Sequence, residues 1–140
     1  MTDTIETIAV GYDGTAGAQA AARWALEMAA RLDCSVVLIH ATGMLGRTDE
    51  SRLVADLKEG AGVLASEYGS EHGQIRWHVS QGDACSALLR AAEPPVHAEL
   101  VVVGSRGHRN AVGLPLGSTS HELAEHSRIP VVIIPAPMEP

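Results

Sequence analysis

Phenylalanine is absent from the 140-residue chain, and the other aromatic side chains amount to two Trp and two Tyr. A core without large rings must be filled by aliphatic and small residues, and twenty-one alanines suit helices that sit close against a Val/Ile sheet. Lysine is nearly as scarce, with Lys58 alone, and ten Lys plus Arg against seventeen Asp plus Glu give a net charge of −7. A basic surface for a phosphate backbone is therefore missing, which argues against a nucleic-acid partner. Hydrophobic residues make up 46% of the chain, enough to exclude disorder. Their runs stop after four or five residues, so no segment is expected to span a membrane.

Cysteine is sparse too. Cys34 and Cys85 follow no metal or redox spacing and read as inert buried thiols in a reducing compartment, a disulfide or reactive site being the alternative. The amino-terminal Met-Thr-Asp-Thr-Ile-Glu-Thr is acidic where a secretory leader is basic, so the expectation is no export signal and a cytoplasmic location. A chain of this length makes one domain, residues 1–140, able to bury roughly two-thirds of its unfolded-state surface.

Short β-rich runs alternate with Ala- and Leu-rich stretches, the signature of βαβ units. Strands are predicted at 7–12, 35–41, 75–80, 99–103 and 131–134, three of them continuously apolar as strands covered on both faces must be. Helices are predicted at 16–32, with Ala18, Ala22, Ala25, Ala29 and Leu32 on one stripe, and at 49–71, with Leu53, Leu57, Ala61, Leu64 and Tyr68. Two shorter ones follow, 84–92 capped by Asp83 and 119–127 capped by Thr119, with Glu122 completing a capping box. The class is α/β: a single three-layer domain whose five-stranded parallel sheet, in 3-2-1-4-5 order, carries helices on both faces. Winding reverses between the first and fourth strands, and ligands bind at such a point beyond the carboxyl ends of the strands. Asp13 and Gly104 meet there.

The segment 101–120 carries the chemistry. Gly104 and Gly107 directly follow a strand, where a missing Cβ permits positive φ and lets backbone N–H groups turn onto an anion. Gly117, Ser118 and Thr119 open a helix whose free amides, dipole and hydroxyls suit phosphate oxygens. No Gly-Lys-Ser/Thr makes this a Walker loop, and the dinucleotide fingerprint belongs after the first strand. The spacing Gly-x-x-Gly, nine residues, Gly-Ser from Gly104 to Ser118 resembles that of ATP-binding members of the universal stress protein family. The resemblance covers the whole chain, from Val-Gly-Tyr-Asp-Gly-Thr at 10–15 through Leu-Ile-His at 38–40 and Gly-Asp at 82–83 to Ile-Pro-Val-Val-Ile-Ile-Pro at 129–135.

That resemblance implies an adenine nucleotide alpha hydrolase-like fold and ATP, with or without Mg2+, as ligand. Gly11, Asp13 and Ala41 would meet adenine and ribose. Val103, Gly104, Arg106 and Gly107 would line ribose and phosphates, and Gly117, Ser118 and Thr119 would hold the outer phosphates. His108 lies near enough to touch a phosphate. The departures are Gly17, where the family often has Ser, and Pro115 before Leu-Gly-Ser, which stiffens the loop. The resemblance also implies a two-fold homodimer through the strand at 131–134, which would otherwise be a flat apolar edge guarded only by Pro130 and Pro135.

Plainer readings stand beside these. The two glycines after strand four could serve a tight turn alone, Ser118 and Thr119 could cap and bind at once, and Asp13 could cap the first helix. Arg106 and Arg109 could offset phosphate charge or form solvated pairs worth little. The seven histidines show no metal spacing. No catalytic base is evident, so the leading expectation is a nucleotide-dependent regulatory protein of stress adaptation, read by an unidentified protein partner. Alternatives are a slow ATPase or self-phosphorylating protein using Ser118, Thr119 or Ser120, and a dimer binding AMP or cyclic AMP. If Gly107 adopts the left-handed region, Gly107→Ala should cost roughly 1–2 kcal/mol in loop conformation and weaken ATP binding in calorimetry; an unchanged affinity would remove Gly107 from the site.

Overall fold

The computed structural model describes residues 5–41, 55, 58–60, 62–64, 66, 75–105 and 117–135. Strands β1 (Thr7–Gly11), β2 (Ser35–Ala41), β3 (Ile75–Ser80), β4 (Leu100–Gly104) and β5 (Val131–Ile134) form one sheet in the order β3-β2-β1-β4-β5, every pairing parallel. The expected order is thus observed. Relative to the sequence reading, β1 ends at Gly11 and β4 is displaced by one residue, running to Gly104.

Alternation along the strands sends side chains to two cores, as it must when both faces are covered. Ile8, Val10, Val36, Leu38 and Val102 face α1 (Ala16–Leu32) and Leu64. Ala9, Val37, Ile39, Val101 and Val103 face α2 (Ala84–Leu89, extended by a 3-10 turn at Arg90–Ala92) and α3 (Ser118–His126). Residues 55, 58–60, 62–64 and 66 are helical, within the stretch predicted at 49–71. Of the stripe expected there, Leu64 is buried, and Leu53, Leu57, Ala61 and Tyr68 lie outside the described residues.

The buried face of α1 is almost all alanine: Ala18, Ala21, Ala22, Ala25 and Ala29, with Leu26. Leu32, predicted on that stripe, is 43% exposed instead, because it sits in the last turn, where the chain swings into Asp33 at φ 55° and leaves for β2. Short side chains let α1 approach the sheet closely, and the approach is tightest at Gly104. A Cβ there would lie 2.9 Å from the backbone carbon and oxygen of Gly17 in the first turn of α1. Gly104 is therefore required by close backbone contact. The expected reason, a positive φ, applies among the described glycines only at Gly14 and Gly82.

Capping also differs from expectation in two places. Thr15 rather than Asp13 caps α1, its hydroxyl accepting the Ala18 N–H, and Gly117 rather than Thr119 is the N-cap of α3. The α3 helix starts earlier because Gly117 N–H is drawn 2.6 Å from the Ser105 carbonyl at the end of β4, which places Thr119 already inside the first turn. The Thr119–Glu122 capping box consequently does not form. Asp83 caps α2 as predicted, and hydrogen bonds from the Ser86 N–H and hydroxyl hold its carboxyl below the usual carboxylate range.

Gly104→Ala tests the backbone contact. Since Gly17 presents main-chain atoms that cannot rotate aside, the substitution should destabilise the fold by roughly 1–3 kcal/mol, seen as a lower urea midpoint at unchanged slope. An unaltered midpoint would mean that α1 can retreat from β4 freely.

Candidate functional site

The carboxyl ends of β1, β2 and β4 and the amino ends of α1, α2 and α3 surround a crevice of about 320 Å³. That is within the range of small-molecule sites, at its smaller end. Gly11, Asp13, Ala41, Val103, Gly104, Gly117, Ser118 and Thr119, all singled out from sequence, line it together. Arg106, Gly107 and His108, with Arg109 and Pro115, lie outside the described residues. Ser120, named from the sequence as a possible phosphoryl acceptor, also lines it, and Tyr12, Thr15, Ala18, Ile39, His40, Ala84, Leu88 and Ser105 complete the lining without having been anticipated. Of these, His40 and Thr15 flank residues already marked by pattern, whereas Ala84 and Leu88 reach the crevice only through tertiary packing.

The floor is the turn after β1. Tyr12 N–H donates to the Ile39 carbonyl at 2.8 Å, extending the β1–β2 ladder one step past the strand. His40 Nδ1 lies 2.9 Å from the Tyr12 carbonyl oxygen, and because a carbonyl only accepts, Nδ1 carries the proton. Gly14 then turns the chain at φ 81°, and the Asp13 carboxylate accepts both the N–H and the hydroxyl of Thr15 at 3.0 and 2.6 Å. Burial pushes the Tyr12 phenol up, the Asp13 carboxylate adds to the rise, and Arg23 opposes it. Tyr12 points away to the helical residue Gly60, where a Cβ would fall 2.7 Å from its hydroxyl.

The opposite wall is the start of α3. The first bond of the helix interior runs from His121 N–H to the Gly117 carbonyl, so the amides of Ser118, Thr119 and Ser120 have no intrahelical acceptor. Among the described residues no side chain caps them. Ser120 is buried and its hydroxyl bonds the Ser105 and Gly117 carbonyls at 3.2 and 3.1 Å, which fixes the turn from inside. Amides at a helix amino end, with the dipole behind them, attract anions. A carboxylate on one wall and uncapped amides on the other can therefore hold a molecule with hydroxyls at one end and negative charge at the other.

The two helices α2 and α3 are in contact, with Cys85 buried in the core between them and the sheet. Burial, the hydrogen bond to the Glu122 side chain and the charges of Glu122 and Asp83 push the Cys85 thiol up to about 11. Burial also raises Cys34, and both cysteines are free, in keeping with inert thiols. Among the described residues no group of three His, Cys, Asp or Glu side chains could hold a metal ion, and no helix is long and apolar enough to cross a membrane.

The family model described as the universal stress protein family matches residues 4–135. A universal stress protein of Mycobacterium tuberculosis strain H37Rv is 31% identical over 145 residues, an alignment covering 91% of this chain and 46% of that protein. The chain thus spans about half the length of the curated relatives it matches. Among solved structures, a universal stress protein in complex with cAMP superposes with a TM-score of 0.75 at 26% identity, covering 96% of this chain and 100% of that one. The universal stress protein from Archaeoglobus fulgidus in complex with dAMP gives a TM-score of 0.64 at 20% identity, over 96% and 99% of the two chains, a likeness of fold alone.

The Cys85–Glu122 contact makes a pH prediction. The folded protein holds a proton that the unfolded chain releases near pH ~8.5. This stabilising contribution is complete below that pH and is lost as pH rises towards 11. Thiolate absorbance should show Cys85 titrating near 11 in the native protein and lower in Glu122→Gln; identical titrations would remove Glu122 as a cause.

Proposed function

From the chain's membership of the universal stress protein family, we propose that its crevice binds an adenine nucleotide, ATP first among them, and that a cytoplasmic homodimer presents the nucleotide state to a protein partner during stress adaptation. The observation that carries the reading is the uncapped first turn of α3 facing the Asp13 carboxylate across one crevice. Asp13 accepts hydrogen bonds from ribose hydroxyls, with Gly11 and Ala41 beside the nucleoside. A side chain at Gly11 would collide with Leu88 and Val103, at 2.9 and 3.1 Å, so the β1 end stays flat where the ring system lies. Ser118 and Thr119, with amides and hydroxyls, take phosphate oxygens, and Arg106, Gly107 and His108, outside the described residues, are expected from the sequence to contact the same phosphates. The complexes with cAMP and dAMP reported for two structural neighbours support adenine as the base.

Mg2+ fits this donor set as a passenger of the phosphates. The one carboxylate among the described lining residues, Asp13, is engaged by Thr15, which leaves phosphate oxygens and water as the main ligands of a small hard cation. Bound there, Mg2+ would neutralise phosphate charge. Hydrolysis needs a placed base. Asp13, the one carboxylate among the described lining residues, is held in the turn, which favours retention of the nucleotide over turnover.

The dimer reading rests on β5, a half-buried edge strand of four residues whose outer side pairs with nothing among the described residues. Sedimentation should give twice the 14.7 kDa chain mass. For the ligand, thermal denaturation with ATP, AMP and cAMP is decisive: at a hundredfold excess over Kd the fold should gain about 2.7 kcal/mol. Absence of a shift with every adenine nucleotide would overturn the reading. γ-Labelled ATP separates the enzymatic alternative, since label retained by the wild type and lost on Ser118→Ala would mark a phosphoryl acceptor.

A further inference from the structure

The hydroxyl of Thr15 does two things with one oxygen. Its single proton goes to Asp13 Oδ1 at 2.6 Å, and a lone pair accepts the Ala18 N–H at 3.2 Å. The Thr15 backbone N–H reaches the same Asp13 oxygen at 3.0 Å. Two donors two residues downstream thus converge on one carboxylate oxygen, and Gly14 in between takes φ 81° to bring them there. A hydroxyl bonded to a carboxylate is a charge-assisted contact, short and directional. The acceptor bond to Ala18 fixes the hydroxyl in turn, because it ties Thr15 to the first turn of α1.

We infer that Thr15 is a positioning residue for nucleotide binding: its hydroxyl, held by the α1 amino end, fixes the Asp13 carboxylate in the orientation that faces the crevice. The inference rests on the nucleotide reading of this crevice and assigns Thr15 a role through Asp13, not on the ligand. Ribose recognition by one carboxylate depends on its orientation before the ligand arrives, since a side chain free to rotate must be ordered on binding. Asp13 stands just beyond β1, which ends at Gly11, and the Thr15 N–H and hydroxyl are among the contacts that hold its side chain. The first turn of α1 is itself pressed against β4 at Gly17 and Gly104, so the carboxylate is referenced to both strands that border the crevice.

Removal of the hydroxyl also removes a helix cap, and the experiment must separate the two. ATP affinity is measured by calorimetry for wild type, Thr15→Ser, Thr15→Val and Thr15→Gly, the last keeping a residue well tolerated at a helix start. Thr15→Ser should match the wild type, while Thr15→Val and Thr15→Gly should each weaken ATP roughly tenfold, the scale of a lost hydrogen bond to a charged group. The same Thr15→Val change in an Asp13→Ala background should then cost nothing further. An equal loss with and without Asp13 would overturn the inference and leave Thr15 a cap alone. Three-bond couplings in the ligand-free protein give a second measure: Asp13 should show one χ1 rotamer in the wild type and an average in Thr15→Val. Unchanged couplings would sink the positioning role even if the wild type bound no nucleotide, an outcome that would separately end the nucleotide reading.

Discussion

A parallel sheet buried on both faces leaves only its strand ends for polar chemistry. The interiors of β1, β2 and β4 are committed to the two apolar cores, so donors and acceptors that are to meet a ligand there must sit where backbone leaves the ladder. The 3-2-1-4-5 order makes β1 and β4 neighbours whose following helices depart on opposite faces, and the crevice is the gap between those departures. Its two walls are turns rather than side-chain clusters: Asp13–Thr15 beyond β1 and Gly117–Ser120 at the start of α3.

Much of this was legible in the amino-acid sequence because the underlying signals are local. Short β-branched runs such as Val-Val-Leu-Ile and Val-Val-Val, set between Ala- and Leu-rich stretches, fit strands buried on both faces, and the glycines at 104 and 117 mark places where backbone comes close to something. What they come close to was not legible. Gly104 was expected to need an unusual φ, and instead needs room for the Gly17 backbone, a contact between residues far apart in sequence. The start of α3 was misplaced because Thr-x-x-Glu satisfies a local capping rule that loses to a long-range bond, Gly117 N–H to the Ser105 carbonyl. His40 is a plain strand residue by pattern, and its bond to the Tyr12 carbonyl follows from register between β1 and β2. For Arg106, Gly107 and His108 the sequence reading stands as an expectation, beyond the described residues.

The scarcity of large side chains and the geometry of the site are one fact. Because α1 buries alanines, its axis can approach the sheet until main chain touches main chain at Gly17 and Gly104. That contact brings the amino end of α1, and with it the Thr15 hydroxyl, to the rim of the crevice. A leucine-rich helix would stand further off and carry its first turn away from Asp13.

Ser105 has a consequence of its own. Its N–H donates to the Ile134 carbonyl at the end of β5, and its carbonyl receives both Gly117 N–H and the Ser120 hydroxyl. The backbone of one residue is therefore shared by the outermost strand and the anion-facing turn. A displacement imposed on the rim of the sheet reaches the amides of α3 through a single residue rather than through the body of the fold, and the molecule carries a short mechanical path from its border to its interior cleft.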